Sequence, residues 1–253
     1  MATALYVILT VLVPVLVAVA GLALVQRLVP PERRERQNDV AGFIYSVLGV
    51  AYAVLLAFVV IAVWQDYQTA QINVDSEAHE LAGIYFLASQ LPEPQRTRVR
   101  ELVRTYISVV VREEWPMMER GKTSPRANSL VRQLRSEISE FHPHTKGEQV
   151  LYESELTQSH DADDARRSRL LGAREGIPGL LWVVLVFGGV ITVSFTYLFG
   201  LGSNAAHALM VAALTLVICG ILFTIGEFNN PFSGVVEIRP VAFEEVLSSF
   251  KGT

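Results

Sequence analysis

Apolar and charged positions along this chain are sorted into long blocks. Residues 5–25, 40–64, 177–199 and 205–226 contain no Asp, Glu, Lys or Arg, and each run holds at least 21 residues. At ~1.5 Å per residue the shortest makes a helix of about 31 Å, enough to cross the ~30 Å hydrocarbon core of a bilayer. Four buried helices of this length would need a soluble core larger than 253 residues can build. The pattern predicts an all-α, multi-pass membrane protein with four transmembrane helices in two hairpins and a helical extramembrane domain between spans two and three.

The predicted divisions are a first transmembrane hairpin (1–64), the extramembrane domain (65–176), a second hairpin (177–226), and a C-terminal turn with a short amphipathic tail (227–253). Ala18-Val19-Ala20 before Gly21 has the small-residue form of a signal-peptidase site. However, no Lys or Arg precedes the apolar run, so the first span is expected to stay as a membrane anchor. The first hairpin turns through 26–39, with Pro30-Pro31 and the cluster Arg33, Arg34, Arg36. The second turns through Gly200-Leu201-Gly202-Ser203-Asn204. An even number of spans puts both termini on the side of the middle domain. The positive-inside rule weighs Arg27, Arg33, Arg34 and Arg36 against Arg166, Arg167, Arg169, Arg174, Arg239 and Lys251, and leaves both orientations open.

The middle domain shows helical spacing and no strand alternation. Its first helix continues from the second span to Leu91-Pro92-Glu93-Pro94, with Ile72, Ala78, Leu81, Ala82, Tyr85 and Leu87 as the apolar stripe. A second helix over 94–114 presents Val99, Leu102, Val103, Tyr106, Val109 and Val110. Ser124-Pro125 is a cap followed by proline at the first helical position, opening a helix with Leu130, Leu134, Ile138 and Phe141. A fourth helix starts near Gly147 and is expected to break around 159–164. After the last span, Asn-Pro and a following Gly mark a turn whose aromatics, Phe228 and Phe232, are expected at the membrane interface. The tail after Pro240, with Phe243, Val246, Leu247 and Phe250, suits either the membrane surface or the middle domain.

Composition narrows the function. Half the residues are hydrophobic (51%), only 18% are charged, and mean hydropathy is +0.36. A net charge of −4 argues against nucleic-acid binding. The single Cys219 excludes an internal disulfide and a cysteine-rich metal site. No phosphate loop, nucleophile elbow or dinucleotide fingerprint occurs, and no cofactor, metal or catalytic set is expected. His142-Pro143-His144 offers two metal ligands without a third at a usual spacing, so an exposed turn is the expectation. The acids of 161–164 are expected as solvated loop or helix-start residues.

The second span carries the sharper signal. Gly42, Ser46, Gly49, Ala53 and Ala57 recur at steps of four, three, four and four, which aligns small residues along one helix face. Small residues in a span mark close helix contact, either within the subunit, between subunits around an axis, or along a narrow pore. Tyr45 and Tyr52, seven apart on a neighbouring face, would give a pore wall polar tips. No charge lies deep in any span, which argues against an ion-coupled transporter more strongly than against a passive pore.

Over nearly its whole length the chain resembles a bacterial membrane family labelled bestrophin-like. The resemblance is carried by Tyr52-Ala53-Val54-Leu55-Leu56-Ala57-Phe58 running to Trp64, by Glu77-Ala78 with Leu81, and by Glu113-Glu114-Trp115-Pro116. It extends to Arg169-Leu170 ahead of Pro178 and Trp182, and to Asn230-Pro231-Phe232-Ser233-Gly234. Family members often have an acid just before the Pro-Phe pair; here Asn229 and Asn230 stand there, and Glu227 is the nearest acid. The more distant bestrophins imply a pentameric anion channel with four spans per subunit, a helical cytosolic region between spans two and three, and a pore along the second span. Their aromatic-rich neck is not matched, since this span offers Tyr45 and Tyr52 among small and aliphatic residues.

The expectation is a homo-oligomer in the lipid bilayer of a bacterial plasma membrane, conducting ions along the second span. Pore or subunit-interface candidates are Gly42, Tyr45, Ser46, Gly49, Tyr52, Ala53 and Ala57. The motif positions Glu77, Glu114, Trp115, Pro116, Arg169, Glu227, Pro231, Phe232 and Gly234 carry no assigned role. The rival is a non-conducting scaffold or sensor whose helical domain binds a partner protein, which a pull-down with that domain would reveal. An enzyme ranks third for want of convergent catalytic groups.

Overall fold

The computed structural model describes residues 2–30, 34–35, 38–174 and 176–250, with side chains from Tyr6 onward. Pro31, Arg33, Arg36 and Lys251 lie outside the described residues. Helices are the only regular structure among the described residues. The four charge-free runs lie on α1 (Ala2–Leu28), α2 (Asn38–Leu87), α7 (Gly179–Thr196) and α8 (Asn204–Phe228). All four are long and apolar enough to cross a membrane. The chain divides into one unit of 1–65 with 177–229 and another of 66–176 with 230–253.

In the membrane unit α1 packs against α8, and α7 packs against both. Its interior is made by Ala18, Leu22, Leu56, Val59, Leu185, Ile218 and Ile225. Its exterior is equally apolar: Leu16, Phe43, Val50, Phe58, Phe187 and Leu209 are exposed. Water does not tolerate an apolar exterior of this extent, whereas lipid does. Where helices approach closely, glycine makes the room. A Cβ on Gly188 would lie 2.7 Å from the Tyr52 ring, and one on Gly189 would lie 2.9 Å from the Tyr52 hydroxyl and 3.2 Å from Ile218. The Tyr52 hydroxyl donates to the Leu185 carbonyl at 2.9 Å, which satisfies it inside the unit. We expect Gly188→Val to destabilise this unit by about 1–3 kcal/mol, the usual cost of overpacking. A lowered melting temperature of the detergent-solubilised protein is the measurement, and an unchanged one would show that Tyr52 can move aside.

The two interhelical turns of this unit are tied to each other. The Asn38 side chain donates to the Gly200 carbonyl at 2.8 Å and accepts from the Gly200 N–H at 3.0 Å. Arg34 donates to the Phe199 carbonyl at 3.3 Å.

The second unit begins on α2, which continues from the second span to Leu87 as one helix of 50 residues, followed by a 3₁₀ turn (Ala88–Gln90). Then come α3 (Gln95–Val109), a π-helical turn (Val110–Glu114), α4 (Trp115–Met118), α5 (Pro125–Ser139), α6 (Lys146–Gly172) and α9 (Val241–Ser249). Ser124 caps α5 as the sequence predicts, its Oγ accepting from the Ala127 N–H at 3.2 Å. Thr145 and Glu148 form a capping box on α6, each side chain accepting from the other's backbone N–H.

Three expectations change here, and one left open is settled. Helix α6 runs unbroken through 159–164, because Asp163 is held by Arg135 of α5 at 2.6 Å and by Arg167 one turn on at 3.4 Å. Ile72 is 62% exposed and leaves the stripe on α2, whose buried apolar residues within this unit are Ala70, Val74, Ala78, Leu81, Ile84 and Tyr85. Phe232 sits in the core of the second unit, against Trp115 at 5.7 Å between ring centroids, and is not an interfacial anchor. The tail helix α9 docks on α3 and buries Phe243. Phe250, just past its end, stacks on Tyr85 at 3.6 Å. Burying two aromatic rings supplies more than a nine-residue helix could gain from propensity alone.

Candidate functional site

Three of the motif positions without an assigned role, Glu77, Glu114 and Arg169, meet inside the second unit, with Trp115 and Phe232 packed beside them, whereas Glu227 belongs to the membrane unit. Glu77 on α2, Glu114 at the end of the π turn and Arg169 on α6 are fully buried. Arg169 donates from Nε to Glu77 Oε2 at 2.6 Å and from Nη2 to Glu77 Oε1 and Glu114 Oε2, both at 3.1 Å. Its remaining Nη1 reaches the Met118 sulfur at 2.6 Å. The guanidinium also lies 5.4 Å from the Trp115 ring centroid and 5.6 Å from that of Phe243. One turn back on the same helix face, Arg166 grips Glu114 with both Nη atoms, at 2.6 and 2.8 Å. Arg166 also donates to the Tyr106 hydroxyl at 2.8 Å and to Asn128 Oδ1 at 2.7 Å. Tyr106 in turn donates to Glu77 Oε1 at 2.5 Å, and the Ser124 N–H reaches Glu114 Oε1 at 3.2 Å.

Local geometry explains how these groups meet. Arg166 and Arg169 are three residues apart, so one face of α6 carries both. Tyr106 and Glu114 are eight residues apart, which on a straight α-helix at ~100° per residue would leave them about 80° apart. The π turn inserts one residue, giving them the angular spacing of an i, i+7 pair, within about 20°. The turn thus aims Tyr106 and Glu114 at one cluster. Trp115, the next residue, is fixed by its Nε1–H to the Ile238 carbonyl at 3.2 Å and by Phe232 and Phe243 against its ring. The turn that presents Phe232 depends on Gly234, whose φ of +102° lies where L side chains are strained. The Ile238 N–H returns to the Pro231 carbonyl at 2.8 Å. Pro116 opens α4 on the exposed side.

Two guanidinium groups face two carboxylates, so the cluster is neutral and internally satisfied. Burial pushes the Glu114 carboxyl up, but hydrogen bonds and charge from Arg166 and Arg169 outweigh it and hold the group below the usual carboxylate range. Burial works against the charge on both arginines, and the facing acids and Tyr106 more than restore it. Burial first, then the Glu77 carboxylate, drive the Tyr106 hydroxyl well above its ordinary value. All four carboxylate oxygens of Glu77 and Glu114 accept hydrogen bonds within the cluster. What it does is fasten α2, α3, α5, α6 and the C-terminal segment together. The sequence reading places Tyr106 and Phe243 only in apolar stripes and Arg166 only in the charge balance, and leaves Asn128 unnamed; the i, i+3 spacing of Arg166 with Arg169 was the available sign of the cluster.

In the membrane unit, Ser46, Ala53 and Ala57 are exposed, Gly42 and Gly49 partly so. A Cβ on Gly49 would meet nothing within 4 Å. Tyr52, only 7% exposed, is turned the other way, onto α7. Tyr45 is half-buried against Phe195 and Phe199, with ring centroids 5.9 and 5.7 Å away. Asn229 uses its side-chain oxygen to accept from the Ile177 N–H at 2.6 Å, and Glu227 is buried.

A model of the Bestrophin-like domain matches residues 12–243. Among solved structures, a bacterial bestrophin homolog from Klebsiella pneumoniae superposes with a TM-score of 0.72, at 13% identity, over 97% of this chain and 99% of its own. A second crystal structure of the Klebsiella pneumoniae homolog gives 0.70 at 13% identity, over 97% and 98%. A crystal structure of a membrane protein gives 0.71 at 13% identity, over 98% of this chain and 99% of its own. No curated protein matches the chain in sequence.

Proposed function

Because the chain belongs to the Bestrophin-like family, we propose that it assembles as a homo-oligomer in the bacterial plasma membrane and conducts ions along a pathway walled by its second span. The observation that carries this reading is the small-residue stripe of α2. Gly42, Ser46, Gly49, Ala53 and Ala57 leave one face of that helix without bulk, and a Cβ at Gly49 would meet nothing within 4 Å. Small residues on a span favour close approach of a second helix, and here that helix comes from a neighbouring subunit. Five subunits is the number the bestrophin resemblance implies. The absence of Asp, Glu, Lys and Arg from all four runs favours passive conduction over ion coupling. Tyr52 is not part of the proposed wall, since its hydroxyl is engaged by Leu185 within the subunit.

The test is ion flux into liposomes reconstituted with oligomer verified by size-exclusion chromatography. We expect flux from the wild type, and none for either anions or cations would overturn the proposal. Gly49→Leu sharpens it. A Cβ there meets nothing within 4 Å, so the fold should survive while assembly or flux is lost. A normally assembled and fully conducting Gly49→Leu protein would remove this face from the pathway.

A further inference from the structure

On the outer side of the π turn lies an open, mostly polar cleft of about 390 Å³, bordered by Arg104, Thr105, Ser108, Arg112, Glu113 and Arg126. The same inserted residue that aims Glu114 inward leaves Arg112 and Glu113 on this outer wall. Turns of this type recur at functional sites. Thr105, Ser108 and Arg112 follow at steps of three and four, which puts two hydroxyls and a guanidinium on one stripe. Arg126 faces them from the first turn of α5.

The cleft concentrates positive charge in a chain whose net charge is −4: three guanidinium groups stand against the single Glu113 carboxylate. That carboxylate is already engaged, accepting from Ser124 Oγ at 2.5 Å. Its ion pair with Arg126 is long, at 3.9 Å, between side chains 65% and 39% exposed, a geometry that adds little. Arg112, Thr105 and Ser108 have no side-chain hydrogen bond or ion pair among the described residues. Arg104 donates from Nη2 to the Phe250 carbonyl, which anchors it at the edge of the cleft with donors to spare. At ~30 Å³ per water the cleft holds about thirteen, so a single halide ion would leave it mostly empty. A tetrahedral, doubly charged group with several oxygens matches forked guanidinium donors flanked by hydroxyls.

We propose that this cleft binds a phosphate-bearing anion, with Arg112 and Arg126 as the principal cationic contacts and Thr105 and Ser108 as hydroxyl donors. The phosphate is supplied by a soluble phosphorylated molecule or by a phosphomonoester lipid headgroup. The site does not depend on the proposed conduction pathway.

The test uses the full-length protein. Pyrophosphate is titrated into detergent-solubilised protein by calorimetry, with chloride at matched ionic strength as control. Nanodiscs of phosphatidylcholine with and without phosphatidic acid are compared by melting temperature. Saturable pyrophosphate binding identifies a soluble ligand, and stabilisation by phosphatidic acid identifies a headgroup; either supports the site. Both should weaken on the order of tenfold or more in R112Q, the loss expected of one charge-assisted contact, and vanish in R112Q/R126Q. Both side chains are exposed, so the unliganded melting temperature should stay at the wild-type value, which separates lost binding from lost folding. Neither ligand binding, or binding undiminished in the double variant, would overturn the proposal.

Discussion

Replacing Arg169 with alanine is expected to destabilise the helical unit by about 3–5 kcal/mol, the usual cost of removing one partner from a buried ion pair. The loss is large because Arg169 alone bridges both acids, Glu77 and Glu114, and none of the three touches water. Alanine would leave Glu77 with only the Tyr106 hydroxyl at hydrogen-bond distance. It would also withdraw the guanidinium from beside the Trp115 and Phe243 rings, loosening the C-terminal segment. For a unit between the 100- and 150-residue classes each kcal/mol is worth roughly 4 °C, so the melting transition should fall by about 10 °C or more. Limited proteolysis should then cut near α9 sooner than in the wild type. Glu77→Gln combined with Arg169→Met should cost less than the sum of the single changes, because each removes the charge the other would leave unpaired. An Arg169→Ala protein that melts normally would mean that the cluster does not hold this unit together.

The second large effect is a dependence on pH in the opposite sense to ordinary acid denaturation. Glu155 on α6 is 0% exposed, and neither carboxylate oxygen has a hydrogen-bond partner among the described residues. Burial alone pushes its carboxyl from 4.5 up to about 7. A carboxyl whose folded value is raised favours the fold below its unfolded value and loses that advantage as pH climbs through the folded one. The stability of this unit should therefore decline between about pH 4.5 and a little above 7. At ~1.36 kcal/mol per tenfold in proton affinity, the full penalty approaches 3 kcal/mol at higher pH. Glu155→Gln removes the charge and should flatten the melting curve across this range, with the gain greatest at pH 8. A wild type equally stable at pH 5 and pH 8 would rule this out. Glu114 acts in the other direction: its lowered value stabilises at neutral pH and is lost under acid, as the pH falls through the folded value.

The candidate site was legible in its parts and not in its assembly. Glu77, Glu114, Trp115, Arg169 and Phe232 all stand out through family resemblance, yet they are spread from position 77 to 232 and nothing in their spacing joins them. Arg166 weighs in the sequence as a charge flanking the third span, whereas it is buried on Glu114. A π turn has no reliable local signature, so the angular correction that brings Tyr106 and Glu114 together cannot be read from residue types. The small-residue stripe was fully visible, but only the packing of Tyr52 on Gly188 and Gly189 showed which face of α2 its own subunit uses.

What the chain determined by itself is what depends on local or one-dimensional physics. Charge-free runs long enough to cross lipid follow from the cost of placing charge in hydrocarbon, and that cost is paid residue by residue. The Ser124 cap and the stripe Leu130, Leu134, Ile138 follow from hydrogen bonds and spacing within a few residues. The tertiary structure decided whatever depends on residues far apart. It kept α6 whole through its acids by bringing Arg135 to Asp163, and it drew Phe232 into a core instead of a membrane surface. It also sealed Glu155 away from water and closed two arginines upon two acids. The cost of burying a charge is offset where a counter-charge and hydrogen bonds are placed against it, as between Arg169 and Glu77, and that placement belongs to the fold.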